Sequence, residues 1–429
     1  MMKLSDEPRG DAPTIDIAAL RLGMYVHLDR SWLEHPFPKS SFKIKTDDQI
    51  ATIRSLGLQR VRWSPALSDT LQPASQSNDT ATASDTTEPR PSPDAAASAT
   101  PSMALPAATQ QQAIHQCQKA LADAVRKVKG LSKTLHSQPS ETREAGRAMV
   151  QQLVTEMMVD ADLAMRLMAD QAGGESLYHH ALNVTLLSLM LARALKAPKP
   201  VIELIGLGAL FHDIGKFEIP DRITRATQPL NRAETALLET HTTQGVTLAQ
   251  KLGLSAEVVQ IIAQHHEMAD GSGYPKKLKG NDISLPTRIV AVVNAYDNLC
   301  NALNPQTTMT PHEALALLYG RRRSQFDEKV LSAFVRCMGV YPPGTMVRLS
   351  NERLGVVVAV NSTQPLKPTL MLFDPTVKRE AAPLLDLEDE PDLAIIKSLR
   401  PQELPEMTRS YLSLGTRTTY YFSAEGARR

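Results

Sequence analysis

The sequence predicts a mainly α protein: a helical core domain, preceded by a small α/β domain and followed by a small β-appendage. Three observations carry that reading. Between 175 and 340, apolar residues recur at helical spacing and prolines mark the joints. Before 72 and after 342, short apolar runs bounded by turn residues replace that period. Between 73 and 108 lies a stretch of Ala, Ser, Thr, Pro and Asp with no aromatic residue. Such a composition cannot bury enough surface to offset its ordering entropy, so it is read as a disordered linker. As a flexible coil its ends lie roughly 30 Å apart.

At 429 residues the chain is too long for one ordinary domain. Its 47 basic and 46 acidic residues leave a net charge of +1, which speaks against a bulk binder of nucleic-acid polymer or membrane. Cys117, Cys300 and Cys337 are far apart and in no CxxC spacing, which suits reduced thiols in a cytoplasmic protein. Met1 to Pro13 has no apolar segment of the signal-peptide kind. The most apolar stretch, Ala181 to Leu195, is too short to span a bilayer and contains Asn183 and Arg193.

The elements follow in order. Residues 14–72 hold Val26, Leu28, Trp32, Phe37, Phe42 and Ile44, then a helix from the N-cap Asp47 to Leu56 stopped by Gly57, then a strand through Val61 and Trp63. Tethered by the linker, this unit need not be docked on the rest; it reads as a packing module without chemistry of its own, or as a candidate for binding a protein partner. Residues 109–172 are a helical lead-in. Its stripes are Ile114, Leu121, Val125, Val128 and Met149, Leu153, Met157, Ala161, with Pro139 between them. These helices can pack on the core or form a homodimer. The core, 173–341, is assigned helices over 177–196, 201–212, 232–251, 256–265, 286–302, 311–320 and 327–338. Strands are expected at 346–349, 356–360 and 369–373 within a β-appendage over 342–380, and 381–429 is expected to be an irregular tail.

The chemistry is concentrated in the core. The apolar run Val201 to Phe211 ends abruptly in His212 and Asp213, with Gly215 and Lys216 beyond. A buried carboxylate beside an imidazole is costly unless paired, and a cation bound by both removes that cost. Six of the eleven histidines fall between 179 and 266: His179, His180, His212, His241, His265 and His266. Helical domains project such residues into one core to bind metals. With no thiolate nearby, iron, manganese or a hydrated divalent ion in one or two positions fits best. His179 is read as structural. His265-His266-Glu267 leads directly into Asp270-Gly271-Ser272-Gly273-Tyr274-Pro275, a loop whose glycines permit close approach to a ligand, and Lys276, Lys277 and Lys279 follow.

In that order and spacing these residues resemble the HD-GYP subgroup of the HD-domain metal phosphohydrolases, over roughly residues 175–340. Leu22-Gly23-Met24-Tyr25-Val26 and Ser31 to Phe37 resemble the small domain of unknown function that often precedes it in bacteria. The resemblance implies hydrolysis of cyclic di-GMP to pGpG or GMP on a centre of two or three divalent ions. By position it implies metal ligands at His180, His212, Asp213, His241, His265, His266 and Asn294. It implies catalytic roles for Asp213, for Lys216 on the phosphoryl oxygens, and for Asp297 in orienting the water or Lys216. Gly273, Tyr274, Pro275 and Lys276 would contact substrate.

Three positions depart from the family pattern. Asn294 stands where the family has a ligating aspartate, and its amide is a weaker bridge between cations. Leu303-Asn304-Pro305-Gln306 carries no cation where the family has an arginine-containing run. Ser176 replaces a glutamate associated with a third metal, with Glu175 one residue off. Together they favour two metals over three, and they keep open a second reading, a regulatory binding module that turns over slowly.

Overall fold

The structure is a computed structural model. It describes residues 13–28, 41–44, 49–50, 53–54, 58–68, 107–159, 164–168, 176–304, 306–361, 364, 366–379, 382–412 and 419–423. The chain divides into two compact units, Met1–Thr109 and Gln110–Arg429.

The first unit holds β1 (Thr14–Asp16), β2 (Tyr25–His27), β3 (Ser41–Lys43) and β4 (Arg60–Ser64), an antiparallel sheet in the order β1-β4-β2-β3. Val26, Ile44, Ile53 and Val61 are buried. Of the helix expected from 47 to 56, residues 49–50 and 53–54 are helical; its remainder and the 73–106 segment lie outside the described residues.

Helix α1 (Ala107–Thr134) begins at the boundary and runs into the second unit, and α2 (Pro139–Val159) follows it. Next come β5 (Ala164–Met168), α3 (Ser176–Ala194) and α4 (Lys199–Phe211). Helix α3 is apolar on nearly every face: Leu182, Val184, Leu186, Leu187, Leu189 and Leu191 are all buried. A helix of that kind belongs at the centre of a bundle, not at its surface. It lies against α4 so closely that a Cβ at Gly206 would come within 2.7 Å of both Leu189 and Val150.

The chain continues through α5 (Asp221–Thr224), α6 (Arg232–Glu239), α7 (His241–Lys251) and α8 (Ala256–Gln264). The bundle closes with α9 (Leu285–Cys300), α10 (Pro311–Gly320) and α11 (Glu328–Met338). Side-chain caps start most of these helices: Asn231 and Thr310 form full capping boxes, and Ser255, Ser284 and Asp327 accept from backbone N–H groups. In the core, Tyr296 of α9 meets Phe334 of α11 edge to face at 5.2 Å.

The single helix expected over 232–251 is two. At Thr240 the backbone N–H bonds to Leu237 O, three residues back, and the Thr240 hydroxyl takes the same carbonyl at 2.7 Å. A hydroxyl competing for a helical acceptor breaks the ladder. His241 is therefore the first residue of a helix and not a mid-helix residue.

The tail also differs from expectation. After β6 (Met346–Leu349), β7 (Leu354–Ala359) and β8 (Thr369–Leu372) come β9 (Leu384–Asp386), β10 (Ile395–Leu399), α12 (Glu406–Leu412) and β11 (Thr419–Ser423). Strand order is β10-β6-β7-β5-β11, with β8 beside β7 and β9 beside β8. Within 381–429, expected to be an irregular tail, the described residues 382–412 and 419–423 thus include strands of the β-appendage, and β5 interrupts the helical lead-in to join it. Leu399, Leu404 and Leu412 close a core over Met346, Val356 and Met371, which is the physical reason the tail is ordered. Cys300 and Cys337 are free thiols, and among the described residues no helix is long and apolar enough to cross a membrane.

Candidate metal centre

Three of the histidines sit at helix ends. His212 caps the C-terminus of α4, His265 caps that of α8, and His241 follows α6 and opens α7. Each turns its Nδ1 back to a carbonyl three residues earlier: His212 to Ala209 at 2.7 Å, His241 to Leu238 at 2.7 Å, His265 to Ile262 at 2.8 Å. Carbonyls at a helix C-terminus lack intrahelical partners, and a carbonyl can only accept. Nδ1 therefore carries the proton in all three rings, and the Nε2 lone pair is left to face the core. His180, in the second turn of α3, is held differently, with Nδ1 2.6 Å from Asp297 Oδ2.

Asp213 lies where these rings converge. Its Oδ2 is 3.4 Å from His180 Nε2, 3.3 Å from His212 Nε2 and 2.6 Å from Lys216 Nζ. Its Oδ1 is 3.3 Å from His241 Nε2 and 3.6 Å from His265 Nε2. One carboxylate thus presents an oxygen to each of two groups with metal-ligand spacing: His180, His212, Asp213 on one side and Asp213, His241, His265, His266 on the other. His179 is in neither group.

The turn after Asp213 fits only glycine. A Cβ on Gly215 would lie 1.9 Å from His241 O and 2.5 Å from Gly245 N, so the turn rests directly on the first turn of α7. That contact brings His241 to Asp213.

The electrostatics divide the set. Burial drives His265 down to about 3, with Asp213 pulling the other way and His212 and His241 adding to the fall. Burial, His265 and His241 hold His266 far below its ordinary value, and burial also lowers His241. These rings are neutral at pH 7. Burial opposes ionisation of Asp213, but His212, Lys216 and His180 keep its carboxyl well below the usual range. His180 is the exception: burial pushes it down, yet Asp213 and Asp297 raise it to about 9.

Does this set fit a cation? His241 Nε2 and His265 Nε2 are 3.2 Å apart, and both rings carry their proton on Nδ1. Lone pair faces lone pair. Asp213 Oδ1, buried between them, receives no hydrogen bond. Three acceptors converging with no proton among them are repulsive, and a buried acceptor without a partner is rare. A cation removes the conflict, so the donor set fits one. Nitrogen and carboxylate ligands without thiolate suit iron, manganese or zinc.

The loop is fastened from below. Glu267, buried, accepts from Lys276 N at 2.6 Å and Leu278 N at 2.8 Å. Gly273 packs on the 266–268 backbone, where a Cβ would meet His266 O and Met268 N at 2.4 Å. Tyr274 stacks on His266 with ring centroids 4.6 Å apart, and burial and Asp213 push its phenol well above the ordinary tyrosine value. Pro275 and Lys276 are exposed.

Two sequence expectations shift. Asp297 does not bond Lys216; it holds His180 Nδ1 and itself accepts from Asn183 Nδ2 at 2.8 Å and Asn301 Nδ2 at 3.0 Å. Asn294 is buried, and its Oδ1 accepts from Asn298 Nδ2 at 2.8 Å. Glu267 carries a role that sequence reading did not assign. Its signal was a charged residue inside an otherwise uncharged His-His-Glu-Met-Ala run just before a glycine loop.

A family model described as an HD domain matches residues 154–330. One described as a domain of unknown function (DUF3391) matches 13–145, well beyond residue 72. A third, described as a KOW domain associated with HD domain, matches 346–407. A cyclic di-GMP phosphodiesterase of Pseudomonas aeruginosa is 30% identical over 364 residues, covering 84% of this chain and 84% of that protein. A cyclic di-GMP phosphodiesterase response regulator of Xanthomonas campestris is 34% identical over 34% of the chain and 39% of its own length. A 3'3'-cGAMP-specific phosphodiesterase of Vibrio cholerae is 28% identical over 43% of each chain. Among solved structures, an HDG"Y"P protein from Bdellovibrio bacteriovorus aligns at 15% identity and a TM-score of 0.41, over 76% of this chain and 98% of its own.

Proposed function

The chain belongs to the HD-GYP subgroup of the HD-domain metal phosphohydrolases, and on that footing we propose that it hydrolyses cyclic di-GMP to linear pGpG or GMP. The observation that carries this reading is Asp213, whose two oxygens face two separate histidine groups. His180, His212 and Asp213 would hold one divalent ion, and Asp213, His241, His265 and His266 a second, with Asn294 as a neutral neighbour. Such ions supply Lewis acidity, polarising a phosphoryl oxygen and lowering the pKa of water toward neutrality.

The chain's own groups do the rest. Lys216 Nζ, on Asp213 Oδ2, places a positive charge at the rim of the centre, where charge grows on the phosphoryl oxygens. Asp297 fixes the orientation of His180. Tyr274, stacked on His266, forms a wall beside the centre, with Pro275 and Lys276 exposed next to it.

Asn294 favours a second reading, a module that binds the dinucleotide and acts through the N-terminal unit. An amide already engaged by Asn298 adds no charge to the ligand set. Metal-loaded protein incubated with cyclic di-GMP separates the two. The first reading expects a linear product by chromatography, and a faster reaction in Asn294→Asp. Tight binding with no product from wild type, restored by Asn294→Asp, supports the module instead.

A further inference from the structure

The hairpin of α1 and α2 closes against the turn that carries Asp213 and Lys216. Val128, Leu131 and Leu135 of α1 are buried with Leu210, Phe211 and Ile214 around one small cavity. Its space is about 30 Å³, enough for a water or two and for no ligand, so this joint is packing. Phe217, next to Lys216, stacks on Tyr178, two residues before His180, with centroids 6.4 Å apart and planes 26° from parallel. The stack ties the turn to the start of α3. Ser132 of α1 meets Tyr178. Its one proton goes to Lys129 O at 2.9 Å, so the phenol donates to Ser132 Oγ at 3.2 Å. Four residues on, just past the end of α1, His136 Nε2 donates to Glu218 Oε1 at 3.2 Å. Ser132 and His136 thus hold the two ends of the stack, Tyr178 directly and Phe217 through its neighbour Glu218.

We propose that Ser132 and His136 are positioning residues of the centre: they hold the Asp213–Glu218 turn so that Lys216 keeps its place on Asp213. The inference rests on the phosphodiesterase reading and adds to it what holds the lysine from outside. Ser132 and His136 lie in 13–145, the stretch that matches the domain of unknown function. Tyr178, Lys216 and Glu218 lie in 154–330, the stretch that matches the HD domain. The contacts therefore join the two family segments at the turn, and they give the first segment an output, the placement of a catalytic lysine. The His136–Glu218 pair is exposed on both sides, and an exposed pair adds little to folding stability. Removing it is expected to shift the turn without loosening the fold.

The test compares the full-length wild type with a first double variant, Ser132→Ala with His136→Ala, and a second, Ser132→Thr with His136→Gln, which keeps a hydroxyl and an N–H donor. On Mn²⁺-loaded protein, kcat for cyclic di-GMP should fall about tenfold in the first variant, within the roughly hundredfold that a 1 Å misplacement costs. KM, bound Mn²⁺ and melting temperature should keep their wild-type values, since the interaction lost is one made in the transition state. Amide exchange read by mass spectrometry should quicken at the turn, whose N–H groups are held by Lys216 N to Asp213 O at 2.9 Å and Ile219 N to Lys216 O at 3.1 Å. Exchange in the β-appendage should not change. The second variant should recover both rate and protection. Unchanged kcat in the first variant, or unchanged exchange at the turn, with wild type active, overturns the assignment and leaves the phosphodiesterase reading standing. So does a loss of rate that is matched by a loss of metal or of melting temperature, or that the second variant does not recover. If wild type cleaves nothing, the phosphodiesterase reading falls by itself, and exchange alone decides whether the hairpin holds the turn.

Discussion

Asp213 and Asp297 are two buried carboxylates with different work. Asp213 faces four imidazoles and a lysine; Asp297 faces one imidazole and two amides. Asp297→Asn would leave His180 Nδ1 without its charged acceptor. The change is expected to weaken metal binding roughly 10–100-fold, as loss of an outer carboxylate on a ligating histidine does, and calorimetric titration with Mn²⁺ checks it. Lys216→Met should lower kcat by about 10²–10³ while retaining metal, read from steady-state rates beside metal content. His212, Asp213 and Lys216 were legible in the sequence because they adjoin at the end of one apolar helix. The partner of Asp297 was not, because His180 lies 117 residues away and only the crossing of α3 and α9 joins them.

At the scale of elements, helix ends build the site. The sequence located the helices that carry His212 and His265 but ran α6 and α7 together, since both keep one apolar period and Thr240 is an unremarkable helix residue on propensity alone. The break is a hydrogen-bond choice that no periodicity records. The Gly215 turn is the tightest joint, and Gly215→Ala should displace α7 and release metal, measured as a loss of bound ion with α-helical circular dichroism largely kept. Farther off, Asp327 caps α11 and meets Arg288 Nη1 at 2.9 Å. Burial raises its carboxyl, but the Val330 and Lys329 N–H groups and Arg288 outweigh it and leave it below its ordinary value. A depressed carboxylate contributes stability that is present above its unfolded pKa and is lost as pH falls through the folded one. Asp327→Ala should therefore cost about 1–2 kcal/mol at pH 7, and progressively less as the pH falls through the depressed value, by denaturant titration across an acid series.

Across the whole molecule, the helical centre was legible and the β-appendage only in part. The strands at 346–349 and 369–372 were legible as short apolar runs, but β5 and β11 pair across about 250 residues of chain, and pairing at that separation leaves no local pattern. The tail's short runs gain their order from Leu399, Leu404 and Leu412 settling on β6, β7 and β8. Ending the chain at Pro391 would uncover that core and the edge of β6. Such a protein is expected to aggregate on heating where the full chain melts cooperatively, as followed by light scattering. Arg400 pairs with Glu313 and His312 stacks on Tyr341 at 5.5 Å, so the appendage is fastened to α10 rather than strung behind it.

The central claim is that Asp213 joins two cation positions, and metal stoichiometry tests it directly. Protein loaded with Mn²⁺ or Fe²⁺ and stripped of excess should retain about two ions per chain by plasma mass spectrometry. Asp213→Ala should retain fewer than one, because both positions share that carboxylate. A wild type that holds no transition metal, or an Asp213→Ala protein that still holds two, would contradict the account.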